Sequence, residues 1–259
     1  MNLKELAQSI LPIAEKAGAA ILEVYERSEN IVFSKKDNDS PLTEADENAN
    51  AVICAGLEKL PQRFPIVSEE NKAIAYAERK KFTYSWLVDP LDGTKEFIKR
   101  NGDFTVNIAL VHMQKVVLGV VYVPVTGEMY WAAKDAGAWY SKDGKEEKLS
   151  APAFSLSDKN LGLVCSRSHL NRETQDFLEK FDAPQTVSRG SSLKFLLLAR
   201  GEAHVYPRLA PTMEWDTGAA QIILEEAGGK VIDNNTGEPL LYNKENLLNP
   251  FFVAYGQVM

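Results

Sequence analysis

The chain of 259 residues is long enough for one large α/β domain or two closely packed lobes around a substantial core. Its 45% hydrophobic and 25% charged residues are ordinary globular composition and exclude disorder, collagen and repeat fibres. With Lys+Arg 29 against Asp+Glu 36, the formal charge of −7 argues against nucleic-acid polymers and anionic membranes as partners, but not against a small phosphate ester held through bound cations.

Leu3, Leu6, Ala7, Ile10, Ala14, Ala17, Ile21 and Val24 recur at helical spacing and predict an amphipathic helix over 3–26, with Pro12 a candidate bend. Residues 34–40 read as a loop or hairpin tip. A second helix is expected from Thr43 to about Leu60, with Asp46 placed to cap its start. Phe64–Val67 and Tyr84–Val88 read as short strands. Phe104–Val111, Lys115–Val123, Glu128–Ala132 and Gly137–Tyr140 read as an antiparallel succession, turned at Thr126-Gly127 and Asp143-Gly144.

Ala151–Ser157 has the composition of a connector between two lobes, 1–150 and 151–259. Beyond it we expect strand Leu161–Cys165, helices Arg172–Lys180 and Ser192–Arg200, strand Ala203–Tyr206 and helix Asp216–Ala227. Strands near Val231, Leu240 and Phe252 complete a layered α/β arrangement. Cys54 and Cys165 lie in apolar runs without CxxC spacing, as expected of buried reduced thiols in a cytosolic protein. The longest apolar stretch, Val116–Val125, falls well short of a membrane span, so no transmembrane segment is expected.

The most informative run is Trp86-Leu87-Val88-Asp89-Pro90-Leu91-Asp92-Gly93-Thr94. An apolar strand delivers Asp89, Pro90 turns the chain, and Asp92 precedes a glycine whose backbone can approach a ligand closely. Thr94 then starts a short helix, whose N-terminus favours anions. Two carboxylates beside such N–H groups suit metal-assisted phosphoryl chemistry, in which hard cations bind oxygen and polarise a phosphate. The plainer reading is a turn in which Asp and Gly only satisfy backbone geometry. Ser68-Glu69-Glu70, Thr43-Glu44-Ala45-Asp46 and Trp215-Asp216 are further acidic sites. Solvation and helix capping would account for each of them singly. All four stand at the ends of elements, which the structural reading explains less well collectively.

These motifs, in this order, resemble the inositol monophosphatase-like, Mg²⁺-dependent, lithium-sensitive phosphatases, from the first helix to Phe252. The resemblance implies a layered α-β-α-β-α fold with the lobes forming one catalytic unit. Within the superfamily, Thr94–Gly102, Ser166-Arg167-Ser168-His169, Gly190–Phe195 and Tyr206-Pro207-Arg208 are most similar to the CysQ-type 3′(2′),5′-bisphosphate nucleotidases. Ser68 and Lys95-Glu96-Phe97 depart from the usual inositol monophosphatase pattern. By this resemblance Glu69, Asp89 and the Leu91 carbonyl bind one Mg²⁺, and Asp89 bridges to a second completed by Asp92 and Asp216. A third, weaker ion near Glu69 and Asp46 is also implied.

Thr94, supported by Asp46, is expected to orient and deprotonate the attacking water. Substrate contacts are expected from Asp92, Gly93, Thr94, Lys95, Ser191, Lys194, Arg208 and Asp216. Arg167 and His169 are weaker candidates. For Lys194 and Arg208 the plain alternative is surface solvation. The implied reaction removes the 3′-phosphate of adenosine 3′,5′-bisphosphate, a by-product of sulfate assimilation, in the cytoplasm. Peripheral association with the inner face of the membrane stays open, as does the oligomeric state. An inositol or sugar monophosphatase and a non-catalytic nucleotide- or metal-binding module are the competing readings.

Overall fold

The computed structural model describes residues 1–27, 33–35, 41–166 and 171–259. Helix α1 (Leu3–Glu26) starts where the Asn2 side chain accepts the Glu5 N–H, and it continues through Pro12. Its buried face carries Leu6, Ala7, Ile10, Ala14, Ala17, Ile21 and Val24, as the spacing predicts. Strands β1 (Phe33–Lys35) and β2 (Pro41–Thr43) pair antiparallel and lead into α2 (Glu44–Glu58). Residues 34 and 35 are thus strand rather than loop, and 36–40 lie outside the described residues.

A seven-stranded sheet follows in unbroken chain order: β3 (Ile66–Ser68), β4 (Tyr84–Asp92), β5 (Thr105–His112), β6 (Lys115–Val123), β7 (Glu128–Ala133), β8 (Gly137–Lys142) and β9 (Lys145–Leu149). Only β3 and β4, joined through α3 (Tyr76–Arg79), run parallel; the other neighbours are antiparallel. Strand β4 runs on past Val88, through Pro90 to Asp92, with its register against β5 shifting between Asp89 and Asp92. Pro90 has no N–H to give the ladder, and such positions favour bulges. The short α4 (Thr94–Ile98) follows directly.

The second sheet has the order β12-β11-β13-β15-β14, built from β11 (Gly162–Ser166), β12 (Gln185–Arg189), β13 (Val205–Arg208), β14 (Lys230–Asp233) and β15 (Phe252–Tyr255). Helices α5 (Arg172–Leu178), α6 (Leu193–Ala199) and α7 (Gly218–Glu226) are interspersed, with a 3₁₀ turn over Glu214–Asp216 before α7. The predicted helix from Asp216 therefore begins two residues later. Near Leu240 no strand forms among the described residues; Pro239 makes only an isolated bridge with Ile232. The Ala151–Ser157 connector is pinned, since β10 (Ala153–Phe154) pairs parallel with β16 (Gln257–Val258).

Period-two alternation assigns each strand residue to a layer. Trp86, Val88, Ile108, Leu110, Val120 and Trp131 pack with α1 and α2. Their neighbours Leu87, Ala109, Val111, Val121 and Ala132 pack with α6 and α7. The second sheet repeats the pattern. Val164, Tyr206 and Ala254 face α6 and α7, whereas Leu163, Val205 and Val253 pack with Phe177 and Leu178 of α5 and beyond. The result is the expected α-β-α-β-α layering. Helix α7, between two sheets, buries every residue from Gly218 to Leu224, the sign of a helix covered on all sides. Each fully buried Leu or Ile here contributes about 1.5–3 kcal/mol of transfer free energy. Strands β9 and β12 escaped the sequence pattern because both are sheet edges with exposed, charged or polar residues, which resist edge-to-edge pairing. No helix among the described residues is long and apolar enough to cross a membrane.

Candidate active site

Asp89 sits at the last regular pair of β4, fully buried, its Oδ1 accepting the Leu91 N–H at 3.1 Å. Glu69 follows β3 and is drawn beside it by a bond from the Glu69 N–H to the Val88 carbonyl. Asp216 arrives from the far half of the sequence, closing the 3₁₀ turn with its Oδ2 accepting the Met213 N–H at 2.9 Å. Carboxylate oxygens of Glu69, Asp89 and Asp216 lie within 4.8 Å of one another, the one such group of potential metal ligands found among the described residues.

Burial and neighbouring negative charge raise the pKa of Asp89 and of Asp216. Burial, then Glu69, Asp92, Asp216 and Asp46, push Asp89 well above the usual aspartate range. Asp216 is pushed up to about 8 by burial and by the charges of Asp92 and Glu69. Asp92 is not one of the three clustered ligands. Its Oδ2 accepts the Ser192 N–H at 2.5 Å and the Asn107 Nδ2 at 3.3 Å. Burial raises it to about 6, against the pull of Lys194 and these hydrogen bonds. An all-oxygen, mutually repelling donor set fits a hard divalent cation such as Mg²⁺ and would suit a softer metal poorly.

Gly93 holds φ +97 at the start of α4, and a Cβ there would lie 2.9 Å from the Asp103 carbonyl oxygen. Only glycine admits that backbone in that space. Thr94 Oγ1 stands 3.3 Å from the Leu91 carbonyl and 3.5 Å from Oδ2 of buried Asp46, in the first turn of α2. The predicted pairing of Thr94 with Asp46 is therefore present in the geometry. Lys95, next on α4, is exposed.

The start of α6 and the end of β13 supply the cationic side. Ser191, at φ +44, rests against Gly93, since a Cβ on that glycine would be 3.3 Å from the Ser191 Cβ. Lys194 is only 5% exposed, which excludes the surface-solvation reading. Its Nζ donates to the Ser191 carbonyl and lies 5.4 Å from the Tyr206 ring centroid. Burial lowers its pKa to about 8, while Asp92 and Asp216 favour its charged form. Arg208 is partly buried; its Nη2 donates to the Pro211 carbonyl at 2.8 Å, and its Nε is buried without a hydrogen-bond partner. Residues 167–170, with Arg167 and His169, lie outside the described residues.

Sequence reasoning overlooked Asn107 and Ser192, which hold Asp92. One signal was available, because Asn107 interrupts the apolar run from Val106 to Val111. A polar residue in a buried strand must find a partner.

A layered α-β-α-β-α fold with carboxylates gathered at strand and turn ends is the architecture of the inositol monophosphatase family. The chain belongs to that family, whose model matches residues 2–251. It is 44% identical over 249 residues to the 3′(2′),5′-bisphosphate nucleotidase CysQ of Salmonella typhimurium, covering 95% of this chain and 98% of that one. The protein of the same name from Escherichia coli K12 is 44% identical over 250 residues, with the same coverage. The crystal structure of CysQ from Bacteroides thetaiotaomicron superimposes with a TM-score of 0.85 at 42% identity, covering 99% of this chain and 98% of that one. An IMPase from Thermotoga maritima, 24% identical with a TM-score of 0.79 over 98% of this chain and 92% of that one, shares the fold.

Proposed function

We propose that the protein is a Mg²⁺-dependent phosphatase that hydrolyses the 3′-phosphate of adenosine 3′,5′-bisphosphate to AMP and phosphate. The observation that carries this reading is the convergence of Glu69, Asp89 and Asp216 within 4.8 Å, in a chain 44% identical to CysQ nucleotidases. Glu69, Asp89, Asp216 and the Leu91 carbonyl, with Asp92 alongside, would hold two Mg²⁺ ions, and Glu69 with Asp46 a weaker third. Bound Mg²⁺ would offset the carboxylate repulsion, acidify water and neutralise charge on the phosphoryl oxygens.

The chain's own groups do the rest. The Thr94 hydroxyl, directed at Asp46, orients the attacking water and passes its proton toward that carboxylate. The first-turn N–H groups of α4, starting at Gly93 and Thr94, hold the scissile phosphate. The water oxygen forms the new P–O bond as the bond to the 3′-oxygen breaks, and the departing oxygen takes a proton from solvent water to become the 3′-hydroxyl of AMP. Ser191, Lys194 and Arg208 meet the 5′-phosphate, and the unpartnered Nε of Arg208 is a donor awaiting such an anion. Lys95, exposed at the rim, adds a screened charge. Residues 1–150 and 151–259 act as one catalytic unit in this reading, since the second half supplies Asp216 to the acidic group as well as Lys194 and Arg208.

The test is phosphate release from purified protein, with Mg²⁺ or with chelator, on three substrates. The expected kcat/KM for adenosine 3′,5′-bisphosphate exceeds those for inositol 1-phosphate and fructose 1,6-bisphosphate by about 100-fold or more. A preference for either of the latter makes the protein an inositol or sugar monophosphatase. Nucleotide binding without phosphate release makes it a binding module.

A further inference from the structure

The proposed reaction leaves Asn107 without a chemical role, yet this side chain joins the two walls of the site. Asn107 lies opposite Asp89 in the β4–β5 pairing and is 1% exposed. Its Oδ1 accepts from Ser192 Oγ at 2.9 Å and from Thr105 Oγ1 at 3.2 Å, and the two hydroxyl oxygens are 2.8 Å apart. With its carbonyl oxygen taken by hydroxyl donors, the amide must turn its NH₂ toward Asp92, where Nδ2 donates to Oδ2. The reverse orientation would set a carbonyl oxygen against a carboxylate.

The same Asp92 oxygen accepts the Ser192 backbone N–H. Ser192 therefore grips Asp92 twice, directly and through Asn107. Thr105, Asn107 and Ser192 are all buried, where satisfied polar networks are stiff and a lost partner is costly. Ser192 also stands between Ser191, against Gly93, and Lys194. Asp92 and the segment over residues 190–194 thus cannot shift independently.

We propose that Asn107 is a positioning residue that fixes the Asp92 carboxylate and, through Ser192, ties it to the 190–194 segment, so that metal uptake and nucleotide seating reinforce each other. This rests on the reading of the site as a Mg²⁺-dependent nucleotidase. Asn107 touches neither substrate nor reacting atoms. It makes the ordering of Asp92 and of the 190–194 segment a single event, so that whichever ligand arrives first meets that ordering cost for both. By linkage, each ligand then raises the affinity for the other by the same factor.

Mn²⁺ binding followed by electron paramagnetic resonance, with and without AMP, tests this without reference to turnover. Asn107→Asp retains an acceptor for Ser192 and Thr105 but replaces the donor to Asp92 with a like charge, which separates filling space from positioning. In wild type, AMP should tighten Mn²⁺ binding about fivefold or more. In Asn107→Asp the affinity should fall about 10–100-fold and the AMP effect should vanish. Ser192→Ala keeps the backbone bond to Asp92 and removes the orienting hydroxyl; a loss of about threefold and a diminished AMP effect are expected. It carries the test should Asn107→Asp not fold. A merely structural role would lower the unfolding temperature and leave Mn²⁺ affinity alone. Wild-type affinity and an intact AMP effect in a folded variant would overturn the proposal. Absence of phosphate release from wild type would instead overturn the nucleotidase reading, with the Mn²⁺ measurement still deciding the role of Asn107.

Discussion

Glu69, Asp89 and Asp216 on one wall of the site and Lys194 and Arg208 on the other face opposite electrostatic problems. The acidic wall is assembled from ends of elements, where backbone N–H groups of Leu91 and Met213 hold single carboxylate oxygens. Burial and repulsion push Asp89 and Asp216 toward their protonated forms. The basic wall depends on long-range packing instead. Lys194 is buried on α6 against Tyr206 of β13, and burial lowers its pKa while Asp92 and Asp216 favour its charged form. One lysine and one arginine cannot neutralise this many carboxylates, so the acidic wall calls for divalent cations while the basic wall is left to meet the ligand.

The strongest way to break this contrast is Asp89→Asn. It should lower kcat/KM for the nucleotide bisphosphate by about 10³-fold or more, because the proposed function makes Asp89 a metal ligand. The same change relieves repulsion, so the metal-free variant should unfold at a higher temperature than wild type. Activity within tenfold of wild type would exclude Asp89 from the metal site. Lys194→Met probes the other wall and should be selective. We expect a loss of about 10–100-fold in kcat/KM for adenosine 3′,5′-bisphosphate, but only a few-fold for adenosine 3′-phosphate, which has no 5′-phosphate. Equal losses on both would remove Lys194 from 5′-phosphate recognition.

The smallest expected effect is on stability. Asp92 and Asp216 reach about 6 and about 8 in the folded protein, above the ordinary aspartate value of about 4. Between pH 4 and 8 the folded, metal-free protein therefore holds more protons on these groups than the unfolded chain, and its stability falls as pH rises. Mg²⁺ competes with those protons, so it should raise the unfolding temperature by about 3 °C more at pH 8 than at pH 6. An equal shift at both values would mean that the acidic wall does not bind the ion.

The segment around Asp89 was legible because it is local. Asp89, Asp92, Gly93 and Thr94 fall within one turn, and the apolar alternation of β4 sets which way the strand faces. The basic wall was harder to read. A lysine at position 194 has the composition of a solvated residue, and only the run Leu193-Lys194-Phe195-Leu196 hints that solvent does not reach it. The grip on Asp92 was not legible, since Ser192 is a hundred positions away in the chain.

The sequence by itself determined what depends on neighbours in the chain: the periodicity of α1 and the sheet strands, the glycine required after Asp92, and the acidic residues at the ends of elements. Tertiary structure alone decided what depends on contact across the chain. It brought Asp216 to Glu69 and Asp89, buried Lys194 beside Tyr206, and turned the Asn107 amide toward Asp92. The reason is physical. Periodicity and turn chemistry are governed by steric and hydrogen-bonding preferences over a few residues. Desolvation and charge coupling depend instead on distances that exist only once two sheets and the helices between them have packed.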